Sequence, residues 1–185
     1  VSISHLLLTT AALAAVVTPG SVTITDPAGD VSPAGSTKLD IRRVTVKNTP
    51  TKVVVQVAFP GVGERYDFPT GNVSVWLDTD PGRRGAEFGH FMEFWSDYRF
   101  APVQGWREQA TDDGCEGEVR SDKGNRLRWF RFTVQKTAGC VTSDAVRVAV
   151  STMNTGDLEP YVEYAPPVRD HLGAEHQWTD WVTVD

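Results

Sequence analysis

The chain has 185 residues, 40% of them hydrophobic and 23% charged, with a net charge of −6 and a pI near 5.2. This composition suits one folded domain with a substantial core and excludes a disordered chain. The acidic balance argues against nucleic acid as a partner, since non-specific binding to it needs a basic surface, and suits a soluble monomer kept apart by like charge.

The first element is LLLTTAALAAVV, residues 6–17, an apolar run that precedes the first charged residue, Asp26. Its length matches the hydrophobic region of a secretory leader and falls short of the roughly 20 apolar residues that span a bilayer. Small residues follow, in Ala12-Leu13-Ala14 and Gly20-Ser21. Residues 1–21 are therefore expected to be a signal peptide, cleaved within 14–22, and residues 22–185 the mature domain. A buried N-terminal helix is the competing reading. Export makes the expected location extracellular, with no transmembrane segment in the mature form.

Strand patterns then follow one another. SVTITD (21–26) alternates, and DPAGDVSPAGST (26–37) is turn chemistry, with Pro and Gly supplying the required dihedrals. LDIRRVTVKN (39–48) and VVVQVAF (53–59) flank a short polar link and read as a hairpin. The continuous apolar run of the second predicts a strand central in its sheet. VSVWLD (73–78) places Val73, Val75 and Leu77 on one face and Ser74, Trp76 and Asp78 on the other. EFGHFMEFW (87–95), SDYRF (96–100), RLRWFRFTVQ (126–135), AVRVAVST (145–152) and WTDWVTV (178–184) complete the set. Residues 107–123 read as a charged, Gly-containing stretch and 157–177 as a Pro-rich irregular tail. No segment carries a sustained 3.6-residue apolar period. About nine strands with Gly/Pro/Asp turns predict an all-β, antiparallel single domain, a sandwich or a barrel.

The two cysteines, Cys115 and Cys140, are expected to pair in an exported protein. Their spacing, with no CxxC and no nearby His, argues against a zinc pair. No G-x-S-x-G elbow, HExxH or P-loop is present. His171 and His176 read as solvated loop residues. Asp78 and Glu93 point away from apolar faces and could line a glycosidase cleft, which needs two carboxyls about 5–10 Å apart.

Two acidic clusters could hold calcium, which takes six to eight oxygen ligands. One is Asp26 and Asp30 of DPAGD with Asp40 after them; the other is Asp78, Asp80 and Glu87 of DTDPGRRGAE. The first is favoured. The second lacks the third acid of an EF-hand loop, and Arg83 and Arg84 bring positive charge beside it, so it also reads as a strand-end turn. Trp76, Trp95, Tyr98 and Trp106 are candidates to stack on sugar rings, with core packing the alternative for each.

DPAGD, then LDIRRVTVKNTPTKVVVQVAF, then VSVWLDTDP and GAEF resemble small secreted β-sandwich proteins of actinomycete-type bacteria. The order is also similar to the DOMON and family 9 carbohydrate-binding-module group, over roughly residues 24–100. The resemblance implies a jelly-roll-like β-sandwich, in some members a structural calcium, and a sugar or haem ligand. Met92 and Met153 have no evident His partner for haem, and no sugar-binding Trp pair maps onto the chain. The expected function is a secreted, non-enzymatic binding module for a glycan or cell-surface component. Its rivals are a small hydrolase built on Asp78, Glu93, His90 and the tail histidines, and a protein-binding or inhibitor domain using loop 107–123 or 157–177.

Overall fold

The computed structural model describes residues 17–33, 38–61, 71–93, 98–108, 115–122, 128–155 and 167–185. Thirteen strands occur among them. The first five are β1 (Val17–Pro19), β2 (Ser21–Thr25), β3 (Arg43–Asn48), β4 (Lys52–Ala58) and β5 (Gly71–Asp78). β6 (Ala86–Glu93), β7 (Tyr98–Gly105), β8 (Arg107–Glu108) and β9 (Gly117–Ser121) follow. β10 (Trp129–Gln135), β11 (Ala145–Asn154), β12 (Val168–His171) and β13 (Trp181–Thr183) complete the order.

These strands form an all-β sandwich. One sheet has eight strands in the order β1-β13-β11-β5-β6-β7-β8, with β12 also on β11; the other has five, β2-β3-β4-β10-β9. Neighbours are antiparallel except β1 with β13. β4 pairs with β10 in the small sheet, and their successors β5 and β11 pair in the large one. One two-stranded ribbon thus wraps over both sheets, a jelly-roll-like crossing.

Period-2 patterning places the core. Val44, Val46, Val53, Val55 and Val57 of the small sheet are at most 2% exposed, and Val73, Val75, Leu77, Val146 and Val148 of the large sheet meet them. Each such side chain contributes about 1.5–3 kcal/mol by leaving water. β4 is central in its sheet, between β3 and β10, as its apolar run predicts, and Thr49–Lys52 closes the β3–β4 hairpin.

The register defines two ends. Thr25, Arg43, Ala58 and Trp129 lie at one end of the small sheet, and Ser21, Lys47, Lys52 and Gln135 at the other. Cys115, just before β9, and Cys140, just after β10, form a disulfide at the second end, with Cα atoms 5.5 Å apart. Both cysteines sit on connections between the sheets. Within the expected leader, residues 1–16 lie outside the described residues, whereas Val17–Pro19 pairs with Trp181–Thr183. No helix among the described residues is long and apolar enough to cross a membrane.

Candidate metal centre and binding faces

At the end opposite the disulfide, three carboxylates meet. Ligand atoms of Asp26, Asp30 and Asp170 lie within 4.8 Å of one another. Asp26 directly follows β2, the edge of the small sheet, whereas Asp170 sits on β12 of the large sheet. The cluster therefore bridges the two layers. Backbone N–H groups hold Asp26, Asp170 and the neighbouring Asp40. Gly173, in a left-handed conformation (φ 69°) that glycine adopts without strain, donates its N–H to Asp26 Oδ1 at 2.7 Å. Gly29 (φ 76°) donates its N–H to Asp40 Oδ2 at 3.1 Å. Asp170 accepts from the backbone N–H of Ile41 and of His171.

The third carboxylate of the cluster is Asp170, where the sequence suggests Asp40. Asp40 lies beside the group, 7% exposed, with its Oδ2 3.6 Å from Arg42 Nε. Burial, reinforced by the neighbouring carboxylates, pushes Asp26 up to about 6 and Asp170 likewise to about 6, against backbone hydrogen bonds that favour the charged forms. Asp26 Oδ2 and Asp40 Oδ1 are buried and accept no hydrogen bond. An oxygen-only set, crowded with like charge and holding buried acceptors without donors, fits a hard divalent cation of the calcium type. Asp26, Asp30 and Asp170 would hold it.

The 78–87 acids are engaged otherwise. Asp78 is fully buried and accepts two hydrogen bonds from the Arg147 guanidinium, at 2.6 and 2.8 Å. Arg147 is its cross-strand partner on β11 and also lies over Trp178 and Trp181, 5.1 and 4.8 Å from the ring centres. Asp80 caps its own turn by accepting the Gly82 N–H, and Glu87 accepts from the Thr79 N–H and hydroxyl. This stretch is a polar strand-end turn with a buried ion pair. The pairing cation is Arg147, not Arg83 or Arg84.

Trp76 and Trp106 do come together, on the outer face of the large sheet, with ring centres 5.4 Å apart. Phe91 packs on Trp76, while His176 and Trp178 stack on Trp106 at 4.1 and 4.9 Å. The segment after β12 thus lays a second apolar layer on this face. Tyr98 does not join it; it is 45% exposed and neighbours His90. Trp95 lies outside the described residues.

The proposed hydrolase residues do not converge. Asp78 and Glu93 lie at opposite ends of the β5–β6 ribbon, about 20 Å apart at roughly 3.4 Å per residue. His90 is 1% exposed between the sheets, packed on Phe100 and Phe132, with neither ring nitrogen hydrogen-bonded. Its burial pushes it down to about 4.

The five-stranded sheet presents the other broad face. An open groove of about 640 Å³ runs across it, from Thr45 and Lys47 on β3 to Glu118 and Arg120 on β9. Gln56 and Thr133 line its middle. The signal for this face is in the sequence, as the polar positions that alternate with core residues in β3, β4 and β10. Nothing local signals Asp170, which reaches the cluster only through β12. No protein-family model matches this chain, and no curated protein matches it in sequence.

Proposed function

We propose that this protein is an extracellular, non-catalytic carbohydrate-binding module braced by a structural calcium ion. The observation that carries the binding reading is the groove on the five-stranded sheet. Its lining consists mostly of hydroxyl, amide and charged side chains held in strand register, including Thr45, Gln56, Thr133 and Gln135. Hydroxyl-rich ligands are bound by such convergent donors and acceptors on a rigid scaffold. The acid cluster supports the calcium part, and the Cys115–Cys140 disulfide supports an oxidising, extracellular compartment.

The aromatic layer over Trp76 and Trp106 supports a packing role for these two side chains, because neighbouring rings occupy their surroundings. A polysaccharide-binding assay of the protein beside a Thr133→Met variant tests the reading. Thr133 sits mid-groove and points outward, so the longer neutral side chain, which also removes the hydroxyl, is expected to weaken binding at least tenfold while leaving the melting temperature within a few degrees. Unaltered binding by a folded Thr133→Met protein would move the ligand off this face.

A further inference from the structure

The groove carries a charge opposite to that of the chain. The chain as a whole has net charge −6. Lys47, Lys52, Arg120 and Arg131 line the groove, with Glu118 the one acid among its described lining residues. Arg43 adds a further cation to the same face, on β3 beyond Thr45. Glu118 is already bound, its Oε1 2.6 Å from Arg120 Nε. Among the described residues, Lys47 and Lys52 form no ion pair.

Arg120 and Arg131 are direct cross-strand partners. Like charges directly opposite in a sheet are destabilising. The structure offsets this only in part. Arg131 donates to Gln56 Oε1 at 2.8 and 3.2 Å and lies 4.9 Å over Trp129, while Arg120 uses Glu118. Neither arrangement cancels the positive field of the groove. An anion lying between the two guanidiniums would, and Arg binds carboxylate, sulfate and phosphate oxygens through charge-assisted, often bidentate hydrogen bonds.

We propose that the five-stranded face binds a linear anionic polysaccharide, its acidic groups held by Arg120, Arg131, Lys47 and Lys52 and its hydroxyls by the Thr and Gln side chains between them. This rests on the module reading above and names its ligand class. The cations span β3 to β9, three strand spacings or about 14 Å, which suits an extended chain better than a single small anion. The Thr and Gln side chains between the cations favour a glycan over nucleic acid. Single-stranded nucleic acids need aromatic stacking platforms. The groove lining contains none, and the nearby Trp129 is covered by Arg131. A lipid surface is disfavoured too, because the exposed large hydrophobic side chain of the described residues, Tyr98, belongs to the other sheet.

The test is calorimetric titration of the full chain, in low and high salt, with four probes: a galacturonate hexasaccharide, a heparin-derived hexasaccharide, cellohexaose and an oligothymidylate. At least one acidic hexasaccharide is expected to bind at least tenfold more tightly than cellohexaose, and high salt is expected to remove that advantage by screening. A carboxylate source and a sulfate source are told apart by which of the two binds better. Arg120→Gln combined with Arg131→Gln should weaken acidic binding at least tenfold, whereas Arg83→Gln, which removes a charge from the 78–87 turn, should not. Lys47→Gln with Lys52→Gln provides a second variant if the arginine pair affects folding. Equal, salt-independent affinity for cellohexaose and the acidic sugars overturns the charge inference and leaves the module reading standing. Binding to no saccharide overturns both. Tighter binding of the oligothymidylate than of any saccharide overturns the proposal in favour of nucleic acid.

Discussion

Asp78 and Arg147 show what a carboxylate near a turn can be for. Asp78 is inaccessible to solvent and Arg147 mostly covered, so removing the guanidinium strands a buried charge. Arg147→Ala is expected to cost about 3 kcal/mol in urea unfolding, in line with broken buried pairs, and a loss under 1 kcal/mol would place the pair among weak surface bridges. His90 makes a second residue-scale case. With the folded-state value lowered to about 4 from 6.5, the unfolded chain takes up the proton first. Its neutral form therefore supports the fold fully above pH 6.5, and that support is lost as pH falls toward 4, by about 3 kcal/mol. His90→Leu should remove this part of the pH dependence, as judged by comparing denaturant midpoints of the two proteins from pH 7 to pH 4. Parallel profiles would mean that His90 is protonated or hydrated in the native state.

Elements carry the next set of consequences. The disulfide closes a loop between residues 25 apart, for which the chain-entropy model gives about 3–4 kcal/mol. Cys115→Ser is expected to lower the melting temperature of the oxidised protein by several degrees, and an unchanged value would contradict this. All nine strands legible in the sequence are present, because each is rich in β-branched or aromatic residues, most of them in a period-2 pattern and VVVQVAF as an apolar run. The four others are short or atypical. β1 and β8 are three and two residues long, β9 is hidden in the charged 107–123 stretch, and β12 consists of Val-Arg-Asp-His in a Pro-rich tail. Such segments become strands through their neighbours rather than their own pattern. The same gap explains the acid cluster: Asp26 and Asp30 are readable from DPAGD, while Asp170 arrives on a strand the sequence conceals. Trp76 is readable as facing away from Val75 and Leu77, but the cover supplied by His176 and Trp178 is a tertiary fact.

For the whole molecule, the chain is tied at opposite ends, by the disulfide between the connections that flank the β9–β10 pair at one and by the Asp26–Asp30–Asp170 cluster between the sheets at the other. Without a cation this second tie opposes folding at neutral pH. Raised folded-state values near 6 mean that the native state holds protons the unfolded chain has released, so the stabilisation from Asp26 and Asp170 is present in acid and lost as pH rises through about 6. A bound cation reverses the sense, because it requires the charged forms. The calcium response is therefore expected to be full at pH 7.5 and largely gone at pH 5, as read from melting curves at the two pH values. Equal responses would contradict the assignment of these carboxylates as ligands.

The most direct test of the calcium brace is thermal unfolding of the protein at pH 7.5 in excess calcium and in EDTA. A ligand held only by the native state at about 100 times its dissociation constant adds about 2.7 kcal/mol, which for a chain of this size raises the midpoint by about 5–10 °C. That rise is expected for the protein and not for Asp170→Asn. Coincident curves with and without calcium would contradict the brace and leave the cluster as three carboxylates held together by the fold alone.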